Sequence, residues 1–172
     1  MRLLLLTALL ASCVAPQMVG DKLVPVRPNI VLVVIDDLGW TDLGCQGSLY
    51  YETPNIDRLA AEGLRFTDAY SCGPNCSPTR AALLTGKYPT RTGVTTVLNK
   101  KVHKFALKEH PRRKSLATDE TTFAEVLSEA GYATISLGKW HLGKDKQDED
   151  PLSQGFDENV GGTHQGHPGS YH

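Results

Sequence analysis

Three short segments carry residue types that could do chemistry on an anion. The first is Cys76-Ser77-Pro78-Thr79-Arg80, running on into Ala81-Ala82-Leu83-Leu84-Thr85-Gly86-Lys87. A cysteine just before a helical stretch sits among backbone N–H groups and the positive end of the helix dipole, which favours an anion nearby. A cysteine beside a turn proline can also be purely structural, so the pattern alone is not decisive. The second is Asp36-Asp37, directly after the apolar run Asn29 to Ile35. Adjacent carboxylates repel unless a cation or proton lies between them, and hard oxygen donors suit Ca²⁺ or Mg²⁺. An isolated Asp-Asp can equally be a helix cap plus one solvated carboxylate. The third is Gly138-Lys139-Trp140-His141-Leu142-Gly143, which pairs a compact positive charge with a group that exchanges protons near neutral pH.

Taken in this order, the segments resemble the type I, formylglycine-dependent sulfatases of the alkaline-phosphatase-like superfamily. The family signature C-x-P-x-R, followed by a Leu-Thr-Gly element, is matched by Cys76 to Arg80 and Leu84-Thr85-Gly86. Thr79 stands where the family usually has Ser. The resemblance implies that a formylglycine-generating enzyme oxidises Cys76 to an aldehyde, which hydrates to a geminal diol. The physical sense is clear. A serine or cysteine that attacked a sulfate ester would be left sulfated, whereas a diol attacks with one hydroxyl and expels sulfate by collapse of the other.

The resemblance also assigns roles residue by residue. Cys76, Arg80 and His141 would be catalytic, Arg80 bonding the diol oxygens and His141 bonding the formylglycine or donating a proton. Lys139 would contact the substrate sulfate. Asp36, Asp37 and the oxidised Cys76 would ligate calcium, with magnesium the lesser candidate, and the metal would polarise the sulfate oxygens. Gly155-Phe156-Asp157-Glu158 is similar to a G-F-D-E segment of the family and reads as a structural turn packing Phe156 beneath the active-site loops. The implied activity is hydrolysis of sulfate esters of sugars or aryl alcohols. Two alternatives stay open: a phosphonate or phosphate ester hydrolase using the same aldehyde, and a non-catalytic binder of sulfated glycans with Cys76 unmodified.

The elements that must position these groups read as an α/β fold with a mainly parallel sheet between helices. Asn29 to Ile35 is continuous rather than alternating, which predicts a strand buried on both faces. Thr53-Pro54-Asn55-Ile56-Asp57 predicts the start of a helix running through Ala61 and stopped by Gly63. Arg65 to Tyr70 predicts a short strand leading into a loop over Ser71 to Pro78, and Thr79 to Leu84 a second helix ended by Gly86. Thr122-Phe-Ala-Glu125 is a capping box opening a helix to Ala130, with Gly131 as its stop. Tyr132 to Leu137 then predicts a strand. Asp36, Asp37, Lys139 and His141 fall at strand ends, where α/β folds place their chemistry.

The 172 residues hold 18 Lys plus Arg against 19 Asp plus Glu. That is a soluble globular composition of about one domain, with no charge excess to recruit nucleic acid. Lys100 to Lys114 is a basic stretch expected to be a solvated loop. Met1 to Ala15, a basic start followed by an apolar run and small residues, reads as a secretory signal. Leu10-Ala11-Ser12-Cys13 resembles a lipobox, so the mature chain is expected either anchored through a lipid on Cys13 or freed near Ala15. The destination would be the periplasm, the exterior or, in a eukaryote, the lysosome. Of Cys13, Cys45, Cys72 and Cys76, an odd number remains after lipidation, so one thiol has a fate other than a disulfide. Family members are considerably longer and supply further metal and catalytic groups downstream. Residues 28–172 therefore read as the N-terminal part of the catalytic domain, with a half-built calcium site and little or no turnover by itself.

Overall fold

The computed structural model describes residues 27–98, 111–144 and 148–167, together with the backbone of three short strands before them. The lipobox Cys13, most of the signal segment, residues 99–110 of the basic stretch and the tail from residue 168 lie outside the described residues. The chain forms two compact units, Met1–Ser71 and Cys72–His172.

In the first unit, β1 (Ala8–Leu9) pairs antiparallel with β4 (Leu32–Val33), and β2 (Gln17–Val19) pairs antiparallel with β3 (Lys22–Val24). The Asn29–Ile35 run thus yields only a two-residue strand, and Ile30, Val31 and Val33 are exposed. The expectation of a strand buried on both faces is not met. An apolar run shows what a strand could bury, and among the described residues its one strand partner is a two-residue segment. Residues 65–70 form no strand either. Arg65 donates through Nη1 to the Cys45 carbonyl and Thr67 donates to Asp68, so side chains rather than a backbone ladder make these bonds.

The helix α1 (Pro54–Glu62) forms as expected, with proline in its first turn and Gly63 at its end. It is locked to a short 3₁₀ turn, Gly44–Gln46, through Asp57. Asp57 Oδ1 accepts from Cys45 N at 2.7 Å and from Thr53 Oγ1 at 3.0 Å, and Thr53 Oγ1 accepts from Gly44 N at 2.8 Å. The backbone bond from Cys45 holds the Asp57 carboxyl below its ordinary range. Burial pushes the Cys45 thiol up, and the neighbouring Asp57 pushes it further.

The second unit carries α2 (Cys76–Thr85), α3 (Pro89–Thr92), α4 (Phe123–Glu129), β5 (Ile135–Leu137) and β6 (Glu158–Val160). β5 and β6 pair in parallel, Ile135 opposite Glu158 and Leu137 opposite Val160. The α/β reading with parallel pairing holds here. α2 starts at Cys76, three residues before the expected Thr79. Pro78 occupies the first turn, where its missing N–H would have had no helical partner anyway. The capping box at α4 is complete: Thr122 Oγ1 accepts from Glu125 N at 3.2 Å and Glu125 Oε2 accepts from Thr122 N at 2.7 Å.

The core of this unit gathers Ala81, Leu84, Val94, Leu98, Leu116, Trp140 and Leu142, with Phe123 and Phe156 against it. Phe156 meets both Trp140 and Phe123 edge-on, with centroids 6.2 and 6.1 Å apart. This is the packing duty expected of the Gly155–Glu158 turn. Among the described residues no helix is long and apolar enough to cross a membrane.

Candidate active site

α2 places Cys76 at its first position, after an extended Asn75 that provides no side-chain cap. The helix rests on its buried face, with Ser77, Pro78, Thr79, Ala81, Ala82 and Leu84 all buried. Thr79, the departure from the usual Ser, donates its hydroxyl to the Gly73 carbonyl at 3.0 Å. That bond ties the loop before Cys76 to the helix.

The partner segment follows β5. Gly138 takes φ +82°, open to glycine without strain, and its N–H bonds the Val160 carbonyl at 2.8 Å. The next residues alternate. Trp140 and Leu142 point into the core, Trp140 Nε1 donating to the Glu149 carbonyl at 2.8 Å and Leu142 O accepting from Leu116 N at 2.7 Å. Between them His141 turns toward α2, itself buried and left-handed at φ +59°. A non-glycine residue in that region carries about 1–2 kcal/mol of strain, held only by surrounding contacts.

Those contacts bring four expected residues together. Cys76 Sγ lies 3.3 Å from His141 Nδ1, and Arg80 Nη1 donates to the Lys139 carbonyl at 2.6 Å. Cys76, Arg80, Lys139 and His141, up to 65 residues apart in sequence, thus form one cluster at a helix N-terminus and a strand end. The start of α2 and the Arg80 guanidinium bring positive charge to this cluster, which suits an anionic group. Arg80 holds the Lys139 backbone, a bond that the sequence did not reveal.

Ser77, Thr163 and Gly166 were also missed. Ser77 Oγ donates to the His141 carbonyl at 3.0 Å, Thr163 O accepts from His141 N at 2.9 Å, and Gly166 lies against the imidazole. No spacing or composition signal marks these residues, because their work depends on tertiary proximity.

Asp36 and Asp37 belong to the first unit, where they form an exposed turn after β4 with Asp37 left-handed at φ +56°. Their carboxylates are of the donor type Ca²⁺ prefers. Among the described residues, however, no group of three or more His, Cys, Asp or Glu side chains gathers as a metal shell. Calcium takes about 6–8 oxygens, so the pair suits the ion without completing its coordination.

Comparison with known proteins identifies the family. The family model named Sulfatase matches residues 28–169. The N-acetylgalactosamine-6-sulfatase of Homo sapiens is 45% identical over 139 residues, covering 81% of this chain and 26% of that protein. The steryl-sulfatase of Homo sapiens is 45% identical over 135 residues, covering 76% and 22%. The crystal structure of Ps i-CgsB superposes with a TM-score of 0.61 at 41% identity, covering 72% of this chain and 25% of that one. A structure of the same protein in complex with k-i-k-neocarrahexaose gives 0.59 at 40% identity, with coverage of 72% and 25%. The chain spans about a quarter of the length of the curated relatives it matches. Its fold is the corresponding part of the alkaline-phosphatase-like sulfatase fold. With 142 consecutive positions matched, residues 28 to 169 counted inclusively, the chain belongs to the sulfatase family.

Proposed function

We propose that this chain carries the nucleophile half of a sulfuric ester hydrolase acting on sulfated sugars, with Cys76 as the residue converted to formylglycine. The observation that carries the reading is Cys76 at the first position of α2, 3.3 Å from His141 Nδ1 and one helical turn from Arg80. The sugar preference is supported by relatives named N-acetylgalactosamine-6-sulfatase and by a similar structure in complex with k-i-k-neocarrahexaose. When present, the aldehyde hydrate supplies an oxygen nucleophile together with a route for releasing sulfate.

This chain's own residues do the rest. The α2 N-terminus, Arg80 and Lys139 hold negative charge at the reacting oxygens. His141 Nδ1 holds or moves a proton at the side chain of residue 76. Asp36 and Asp37 would supply hard oxygen donors for Ca²⁺, which would polarise sulfate oxygens. The N-terminal segment is proposed to direct export, where a maturation enzyme would meet the chain.

The test is direct. The protein is co-expressed with a formylglycine-generating enzyme, and the peptide containing Cys76 is examined by mass spectrometry for the aldehyde. Paired sulfate and phosphate esters of one sugar are then offered. An aldehyde with sulfate release preferred is the expected result. Preferred phosphate release would assign phosphate ester hydrolysis instead, and an unmodified thiol with bound but uncleaved glycan would overturn catalysis.

A further inference from the structure

We propose that Ser77 is a positioning residue for His141. Its buried hydroxyl, the Thr163 carbonyl and the bare backbone of Gly166 form a cradle that aims His141 Nδ1 at residue 76. The inference rests on reading Cys76 and His141 as the reacting pair.

Ser77 is wholly buried. Its Oγ donates to His141 O at 3.0 Å and accepts from Leu98 N at 3.4 Å. The residue directly after the nucleophile thus fastens the first turn of α2 to the backbone of the histidine that must face it. The covalent and hydrogen-bonded route from residue 76 to His141 is one peptide, one serine side chain and one carbonyl. A shorter tether between two segments more than sixty residues apart is hard to build.

The other backbone group of His141 is equally committed, its N–H donating to Thr163 O at 2.9 Å. With both groups held, the left-handed conformation at φ +59° is retained despite its strain. Gly166 closes the third side. A Cβ built there would lie 2.8 Å from His141 Cε1 and 3.1 Å from Nδ1, closer than carbon contacts allow, so the ring fits only against glycine. An alanine at 77 would leave two buried backbone groups, His141 O and Leu98 N, without this partner. His141 would then relax toward an unstrained conformation and turn its ring away.

The experiment reads the His141 ring in the unmodified 172-residue chain by long-range ¹H–¹⁵N NMR. The wild type is expected to show one tautomer with Nδ1 hydrogen-bonded. Ser77→Ala and Gly166→Ala, folded by circular dichroism, are each expected to show the averaged nitrogen shifts of a mobile imidazole. Either folded variant retaining the wild-type ring signature would overturn the cradle. Should Ser77→Ala fail to fold, the wild type itself decides. The Ser77 hydroxyl proton must appear as a slowly exchanging resonance with contacts to the Leu98 amide and His141, and its absence would overturn the proposal. Neither aldehyde nor substrate enters these measurements, so a failed sulfatase assay leaves the cradle standing, and a failed cradle leaves the sulfatase reading standing.

Discussion

Thr122→Ala tests whether the capping box supports the site's floor as well as its own helix. Thr122 Oγ1 accepts from Glu125 N at 3.2 Å and also donates to the Gln154 carbonyl at 2.8 Å, in a residue only 1% exposed. Removing an N-cap threonine costs about 1 kcal/mol. Leaving a buried carbonyl unpaired adds about 1–3 kcal/mol, for a total of about 2–4 kcal/mol. With a urea dependence of about 2 kcal/mol/M, typical of small domains, the midpoint should fall by about 1–2 M. Trp140, 4% exposed and packed on Phe156 next to the Gln154–Gly155 turn, reports the transition by fluorescence. Glu125→Gln serves as the control, since the amide oxygen can still accept from Thr122 N and the shift should stay below about 0.3 M. A Thr122→Ala shift no larger than this control would refute the account, because the hydroxyl would then be doing neither job.

Other perturbations address separate parts of the molecule. Gly155→Ala places a Cβ against Glu125 in a left-handed backbone at φ +89°, so a loss of at least about 2 kcal/mol is expected in the same titration. Gln154→Met should be neutral or stabilising within about 1 kcal/mol, because the buried Oε1 of Gln154 has no hydrogen-bond partner among the described residues; a clear loss in melting temperature would show otherwise. For Asp57, whose carboxyl is held low by the Cys45 N–H, the bonded form is the carboxylate. Its contribution is therefore complete above the ordinary carboxylate pKa and disappears as pH falls through the lowered value. Asp57→Asn should flatten the acid limb of the stability–pH curve below about pH 4, and an unchanged limb would contradict this. Cys45, pushed up by burial, should be alkylated more slowly at mildly alkaline pH than the exposed Cys72, as peptide mass spectrometry would read.

The helix ends were legible because short-range rules fix them. The Thr122–Glu125 box, the Pro54 start and Gly63 end of α1, and the Gly86 stop of α2 each depend on a few neighbouring residues. The strands were less legible. Asn29 to Ile35 has the composition of a covered strand, yet Val31 and Val33 stand exposed, because coverage depends on partners that a local pattern does not encode. Residues 65–70 failed for the same reason, since β-propensity measures fit to a pleated surface that must already exist. α2 begins at Cys76 and not at Thr79, because proline is as much at home in a helix's first turn as in a loop.

The site illustrates the same division in one residue. Lys139-Trp140-His141 could be identified as a chemical segment from its types, but not which way each side chain would face. In a regular strand Lys139 and His141 would share a face opposite Trp140. Here the residues follow β5 rather than belong to it, and His141 is left-handed. Its direction is therefore set by what grips it and not by strand periodicity. The grip comes from α2 through Ser77 and from the segment after β6 through Thr163. Both Arg80 and Ser77 reach from the nucleophile's helix to the carbonyls of this segment, at Lys139 and His141 respectively. Two side chains of one helix thus hold the backbone of this segment at Lys139 and at His141, the residue that faces Cys76. Substitutions that leave Cys76, Lys139 and His141 intact can still abolish their alignment.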